Sequence, residues 1–110
     1  MPTNVYKVLG QSNPTANTLT DVYTVPSSNS AVISTITVCN QSASNASYSL
    51  AIAPDGASDD PAQYLIRGGV VPAADSIGIT LGITMDAADV LRANTNSSNV
   101  SFNIFGSEVF

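Results

Sequence analysis

The chain has 110 residues, of which 44% are hydrophobic and only 10% are charged. A chain of this length buries about 65% of its unfolded surface on folding, which predicts one domain, residues 1–110, that needs no metal or disulfide to support its core. Eight acidic and three basic residues leave a net charge of −5. This balance argues against nucleic acid as a partner, because such binding needs cations that neutralise phosphates.

The N-terminal segment, residues 1–7, lacks the basic region and the apolar region that make up a signal peptide, and no stretch approaches a run of 18 apolar residues. We therefore expect neither a signal peptide nor a membrane partner. Cys39 is the single cysteine, so no disulfide is expected within the chain.

Apolar residues alternate with polar or small residues in eight short segments, which is the period of β-strands. Turn-forming residues, among them Gly10, Pro26, Pro54 and Pro72, separate these segments. The pattern predicts an all-β, single-domain antiparallel β-sandwich, immunoglobulin-like or jelly-roll-like, with about eight strands. In chain order the predicted strands are residues 5–9, 20–25, 32–38, 48–52, 63–67, 77–83, 90–93 and 100–104.

The alternation also assigns side chains to the two faces of each strand. In the third segment it places Ser34 on one face with Val32, Ile36 and Val38, and it places Ile33, Thr35, Thr37 and Cys39 on the other. We interpret the polar tract that follows, residues 40–45, as the connection of a hairpin that leads to the next strand.

A short sequence echo favours two similar turns. Residues 73–77, AADSI, return as residues 87–91, AADVL. Asp75 and Asp89 each stand at the corner before an apolar run, where a carboxylate can accept backbone N–H bonds and stabilise a turn. The alternative is a short helix over residues 86–93 that is capped by Asp86.

The residue types of the chain give little support for a catalytic site. The chain has no histidine, so neither a Ser-His-Asp nor a Cys-His arrangement can form within it, and we expect a protein that is not an enzyme. Cys39 has no Lys or Arg nearby in sequence that would favour its thiolate, which indicates a buried or half-buried strand cysteine.

The segment 55–60 gathers Asp55, Asp59 and Asp60. Three carboxylates are a possible calcium ligand set, but the segment does not match the EF-hand pattern, and a solvated acidic turn is the alternative that we prefer. No metal and no cofactor are therefore predicted.

Four tyrosines bear on the hypothesis of a carbohydrate-binding module, since sugars stack on exposed aromatic rings. Tyr23 and Tyr48 fit the alternation of core residues, which leaves Tyr6 and Tyr64 as candidate contact residues. Arg67 and Arg92 are candidate partners in surface or interface ion pairs.

The C-terminal segment has apolar residues on both of its faces. Phe102 and Ile104 are expected in the core, whereas Phe105, Val109 and Phe110 are left for another surface. We predict that this segment contacts a neighbouring molecule. The alternative is a strand that is covered on both faces within the monomer.

Several short motifs together resemble a family of small virion structural proteins of tailed bacteriophages, represented among phages of cyanobacteria and other aquatic bacteria. The resemblance extends from about Val5 to Glu108. The motifs are residues 9–11 (LGQ), 23–26 (YTVP), 31–35 (AVIST), 38–41 (VCNQ), 75–77 (DSI) with 80–84 (TLGIT), and 99–108 (NVSFNIFGSE).

The resemblance implies a non-enzymatic component of the virion, assembled in the cytoplasm of a bacterial host. Our leading interpretation is a capsid decoration or cement protein that binds the major capsid protein and forms a homo-oligomer. A tail, baseplate or fibre component is the alternative that the same resemblance allows, and a host-glycan-binding module is a further one. The residues predicted at an interface are Phe105, Val109, Phe110, Tyr6, Tyr64 and Arg67.

Overall fold

A computed structural model describes residues 3–110 as nine antiparallel strands in two sheets. The expectation of no signal peptide rests partly on Met1 and Pro2, which lie outside the described residues. Between residues 3 and 110, no helix has the length and apolar character needed to cross a lipid bilayer. The strands are β1 (Asn4–Ser12), β2 (Thr20–Thr24), β3 (Ser30–Asn40), β4 (Ala46–Ala53), β5 (Tyr64–Val71), β6 (Ser76–Ile79), β7 (Ile83–Met85), β8 (Val90–Thr95) and β9 (Val100–Val109).

The strand order identifies the topology. Sheet A has the order β1-β9-β3-β6, with β7 also paired to β3, and sheet B has the order β2-β8-β4-β5. Successive strands change sheet except at β4–β5, which pair with each other, and at β6–β7, which share one edge of β3. This is the strand order of a jelly roll. The prediction of an all-β antiparallel sandwich is confirmed, and the strand order decides between the two topologies that periodicity left open.

One predicted strand is divided in two. The run of residues 77–83 forms β6, which pairs with residues 36–39 of β3, and β7, which pairs with residues 31–33. Between them the chain leaves the sheet at residues 80–82, where Gly82 has a φ of 62°. The division explains why nine strands are present and not eight.

The two Ala-Ala-Asp corners are turns of the same kind, as predicted. Ala74 and Ala88 both have positive φ, at 52° and 68°. The Asp75 carboxylate accepts from the N–H of Ser76, and the Asp89 carboxylate accepts from the N–H groups of Asp55 and Asp86. The alternative of a helix over residues 86–93 is wrong, because strand β8 begins directly after this turn, at Val90.

The predicted faces of the third strand are wrong in its first half. The pairing of β3 with β9 shifts between Ile33 and Thr35, so Ser34 is the extra residue of a β-bulge. The bulge moves residues before it to the opposite face. Ile33 therefore joins Ile36 and Val38 in the core, where all three are at most 1% exposed, and Val32 faces outward with 40% of its surface exposed.

The segment after Cys39 is not a hairpin, because β3 lies in sheet A and β4 lies in sheet B. Residues 41–45 cross from one sheet to the other. The buried Asn40 stabilises this crossing, since its side-chain N–H groups donate to the carbonyl oxygens of Ser44, Val71 and Pro72, and its side-chain oxygen accepts from the N–H of Ser42. Cys39 is half-buried in β3, as predicted.

The strand β9 passes very close to β3 at Gly106. A Cβ atom at this position would lie far inside van der Waals contact with the carbonyl oxygen of Val32. Gly78, in the edge strand β6, is a useful contrast because a Cβ atom there would meet no atom within 4 Å.

We expect Gly106→Ala to lower the free energy of unfolding by about 3 kcal/mol or more, because the added methyl group must displace backbone in the middle of sheet A. Urea denaturation measures the change. Gly78→Ala is the matched control, with an expected change within about 0.5 kcal/mol. Equal effects of the two substitutions would contradict the close approach of β9 and β3.

Candidate protein-interaction surface

The outward-facing side of sheet A carries no Lys, Arg, Asp or Glu among the described residues. The strand registers place uncharged side chains along all of its strands. We call this surface the sheet A face, and its residues are Asn4, Tyr6, Val8, Gln11, Ser30, Val32, Ser34, Thr35, Thr37, Cys39, Ser76, Gly78, Thr84, Ser101, Asn103, Phe105, Ser107 and Val109.

The part of the sheet A face formed by β1, β9 and the beginning of β3 is apolar. Phe105 of β9 is half-buried between Val8 of β1 and Thr35 of β3, and Tyr6 and Val32 both neighbour Ser107. The exposed fractions are 82% for Tyr6, 47% for Val8 and 40% for Val32. Together with Phe105 these side chains line one shallow depression, to which Lys7 and the small residues Ser34, Gly106 and Ser107 also contribute. We call Tyr6, Val8, Val32 and Phe105 the apolar cluster.

Two bulges shape this part of the sheet. Leu9 of β1 and Ser34 of β3 are extra residues on the two sides of β9, both next to Phe105. The Ser34 hydroxyl donates to the carbonyl oxygen of Phe105 across the bulge, at 3.1 Å. Because a bulge changes which side chains point to each face, the bulge in β3 brings Val32 into the apolar cluster.

An ionic network lies on the inner side of the same sheet, where the carboxylate is buried and the Lys7 side chain is 46% exposed. The Glu108 carboxylate of β9 is 5% exposed, contacts the Lys7 ammonium of β1 at 2.8 Å, and accepts from the Tyr23 hydroxyl of β2 at 2.6 Å. Tyr23 belongs to sheet B, so the network connects the two sheets. Hydrogen bonds from Lys7 and Tyr23 hold the pKa of Glu108 below its ordinary value, against the opposing effect of burial. Burial, with the hydrogen bond to Glu108, raises the pKa of Tyr23.

This network predicts a loss of stability in acid. A lowered folded-state pKa stabilises the protein above the unfolded-state value near 4.5, and this stabilisation disappears as the pH falls through the folded-state value. Tyr23→Phe removes one donor, so we expect it to lower the free energy of unfolding by about 1.5–3 kcal/mol at neutral pH and to flatten the decline below pH 4.5.

Denaturant titrations at a series of pH values test this expectation. Tyr48→Phe is the control, because Tyr48 is equally buried in sheet B and its hydroxyl makes no hydrogen bond to any described residue. If Tyr23→Phe and Tyr48→Phe have the same pH profile, the network does not contribute to stability in acid.

The structure brings together only some of the predicted interface residues. Tyr6, Phe105 and Val109 lie on the sheet A face. Phe110, which directly follows β9, is 54% exposed and donates its N–H to the carbonyl oxygen of Thr3. Contact of the C-terminal segment with a neighbouring molecule stays a prediction.

Tyr64 and Arg67 lie elsewhere, on β5 of sheet B. The Arg67 guanidinium is 4.8 Å from the centre of the Tyr64 ring, and the Tyr64 hydroxyl donates to the Asp59 carboxylate at 3.2 Å. Tyr23 and Tyr48 are in the core, as predicted. Because Tyr6 and Tyr64 are on different sheets, they do not form one aromatic platform for a sugar.

Carboxylates concentrate at one end of the sandwich. The connections 54–63 and 86–89 meet there, where the N–H of Asp55 donates to Asp89. Arg92 holds the first connection by donating to the carbonyl oxygens of Gly56 and Ala57, and it also forms an ion pair with Asp21 at 2.9 Å. We call this the acidic end, and its carboxylates are Asp55, Asp59, Asp60, Asp86 and Asp89.

The carboxylates of the acidic end have separate local contacts. Asp60 accepts from the N–H of Ala62, and Asp59 accepts from Tyr64. No group of three potential metal ligands is present within residues 3–110. The exposed segment 55–60 begins within a 3₁₀ turn, Pro54–Gly56, and ends before a second one, Pro61–Gln63.

The opposite end is almost uncharged. It consists of the connections 13–19, 41–45, 72–75 and 96–99, which are joined by backbone hydrogen bonds such as those from Gln41 to Asn99 and from Ala74 to Ser42. Asp75 is the one charged residue in these four segments. We call this the amide end, because Asn, Gln, Ser and Thr make up most of its polar side chains.

Two features of the site were absent from the sequence-based predictions. Val32 carries no signal of its exposure, because Val32 and Ile33 are both apolar and the alternation can start from either one. Glu108 does carry a signal, since it continues the inward series of Phe102, Ile104 and Gly106 at a spacing of two.

Comparisons with known proteins give a distant structural similarity and no match in sequence. No protein family matches the chain. No curated protein matches it either. Among solved structures, the chain is similar to a pentameric capsid protein isolated from metagenomic phage sequences, with 18% identity and a TM-score of 0.30. The alignment covers 96% of this chain and 63% of that protein, so the chain spans less than two thirds of its length. A similarity of this degree assigns no function.

Proposed function

We propose that this chain is a non-enzymatic structural protein of a tailed-phage virion that decorates the capsid by binding the major capsid protein. The observation that carries the proposal is the separation of charge: a chain with a net charge of −5 has one whole sheet face without charge and one end with a single carboxylate. The sequence resemblance over residues 5–108 supplies the class of particle.

The sheet A face has the composition of a protein interface. The centres of such interfaces are apolar and poor in charged residues, and aromatic residues are enriched there. Tyr6 and Phe105 are the aromatic residues of the apolar cluster, and hydroxyl and amide groups surround them. Contact through this face desolvates no carboxylate, and the Lys7 ammonium beside it is paired with Glu108, which limits the cost of association.

The amide end offers a second uncharged contact surface. Its Asn, Gln, Ser and Thr side chains can donate and accept hydrogen bonds without the desolvation cost of a charge. We assign the contact with the capsid protein to this end. Many copies on one particle make weak contacts sufficient, because every further contact is intramolecular once the first has formed.

The location on the particle is testable by separating heads from tails and identifying the protein by mass spectrometry. We expect the protein in the purified heads. Its presence in tails or baseplates alone would replace capsid decoration by the tail alternative, and its absence from both fractions would reject a virion role.

The amide end is testable with two serine substitutions of the same kind. Ser44, at the amide end, and Ser58, at the acidic end, are both exposed, and neither hydroxyl is hydrogen-bonded within the described residues. We expect Ser44→Asp to weaken cosedimentation with heads about tenfold, because a new carboxylate must be desolvated in the contact. Ser58→Asp is the control, with unchanged binding expected. A stronger effect of Ser58→Asp would assign the contact to the acidic end.

A further inference from the structure

We infer that the sheet A face is covered by the same face of a second copy of this chain, so that two sheets A pack against each other around a two-fold axis. The inference rests on the proposed function in taking this face as a protein interface, and it names the partner. Three properties of the face favour a second copy: the position of the charges, the area and the chemistry of the side chains.

The charges permit two acidic copies to meet only at certain surfaces. Each copy has a net charge of −5, and the sheet A face carries none of it. Glu108 of the same sheet points inward and is paired with Lys7, whose side chain is 46% exposed and lies at the border of the apolar cluster. Asp21 is on sheet B, and the sheets of a sandwich are about 10 Å apart.

In the face-to-face dimer, the sheet B carboxylates of the two copies are therefore separated by several layers of protein. That separation exceeds the Debye length of about 8 Å at physiological ionic strength. Contact through the acidic end would instead bring ten carboxylates together, since each copy contributes five there.

The area is sufficient for a dimer of modest affinity. Four strands spaced about 4.8 Å apart, over nine residues of about 3.4 Å each, give a face of roughly 600 Å² in projection. Two such faces bury roughly 1,200 Å², which is at the lower limit for specific interfaces. We therefore expect a dimer that dissociates on dilution and is stable at the high local concentration of a particle.

The side chains of the sheet A face are complementary to themselves. A two-fold axis near Phe105 superposes the two apolar clusters and removes both from water. Around them, serine, threonine and asparagine side chains face their own kind, and each of these groups both donates and accepts hydrogen bonds. A face of Lys or Asp would not have this property, because like groups would repel.

Two exposed valines at the edges of the two sheets provide the test. Val8 of β1 belongs to the apolar cluster and is 47% exposed, and Val70 of β5 in sheet B is 60% exposed. Sedimentation equilibrium from low micromolar to near-millimolar protein should show reversible dimers of the wild type. Val8→Asp places a carboxylate near its own symmetry mate, so we expect dimerisation weakened by about tenfold or more, whereas Val70→Asp leaves it unchanged.

A second variant keeps the test valid if Val8→Asp misfolds. Tyr6→Ser changes a side chain that is 82% exposed, so it leaves the core intact and should also weaken the dimer. Thermal unfolding of each variant checks that the fold is retained. A wild type that is monomeric at the highest concentration overturns the inference, and so does a dimer that Val70→Asp weakens as much as Val8→Asp.

The same proteins in the head-binding assay distinguish failure of the dimer from failure of the proposed function. A monomeric protein that binds heads, with binding lost in Val8→Asp, shows that the occupant of the sheet A face is another virion protein. That outcome rejects the second copy and keeps the virion role. A dimeric protein that is found in neither heads nor tails keeps the dimer and rejects the virion role.

Discussion

The pairing of β9 with both β1 and β3 is the constraint on which the rest of sheet A depends. Because β9 lies between β1 and β3, it pairs with both, and each pairing contains a bulge next to Phe105. The bulge in β3 sends Ile33 into the core and Val32 outward. The bulge at Ser34 thus shapes both the packing of the core and the apolar cluster on the opposite side of the sheet.

The two sheets differ in the distribution of their charged side chains. On sheet A, the one pair of opposite charges, Lys7 and Glu108, is turned to the inner side and joined to Tyr23 of sheet B. The network stabilises the contact between the sheets and leaves the outer face of sheet A neutral. Most of the remaining carboxylates lie at the acidic end, where their backbone contacts stabilise turns.

Polar uncharged side chains stabilise buried connections through hydrogen bonds, and they also line the exposed surface. Asn40 makes hydrogen bonds to three carbonyl oxygens and one N–H group at the crossing between β3 and β4. A charged residue of similar size would have to be desolvated at this buried position. The amide end therefore combines a rigid frame of hydrogen bonds with an exposed surface that bears little charge.

Local sequence patterns predicted much of the fold. Alternation over two residues located the strands, the Ala-Ala-Asp repeat located two turns, and Phe102, Ile104 and Phe105 were assigned to inner and outer sides correctly. The interface prediction was divided: Tyr6 and Phe105 lie in one cluster, whereas Tyr64 and Arg67 lie on the other sheet. The reason is that exposure of an aromatic side chain is a local property, and its neighbours on a surface are not.

The sequence by itself determined the all-β class, the positions of most strands, the excess of carboxylates and the lack of histidine chemistry, because each follows from composition or from short-range periodicity. Only the tertiary structure decided the jelly-roll order, the crossing at residues 41–45 and the neutrality of one complete sheet face. Strands β1 and β9 pair across almost the whole chain length, and periodicity contains no information about such partners. A single bulge residue, Ser34, reverses the faces of a strand, so the exposure of Val32 depends on β9, some seventy residues later in the chain.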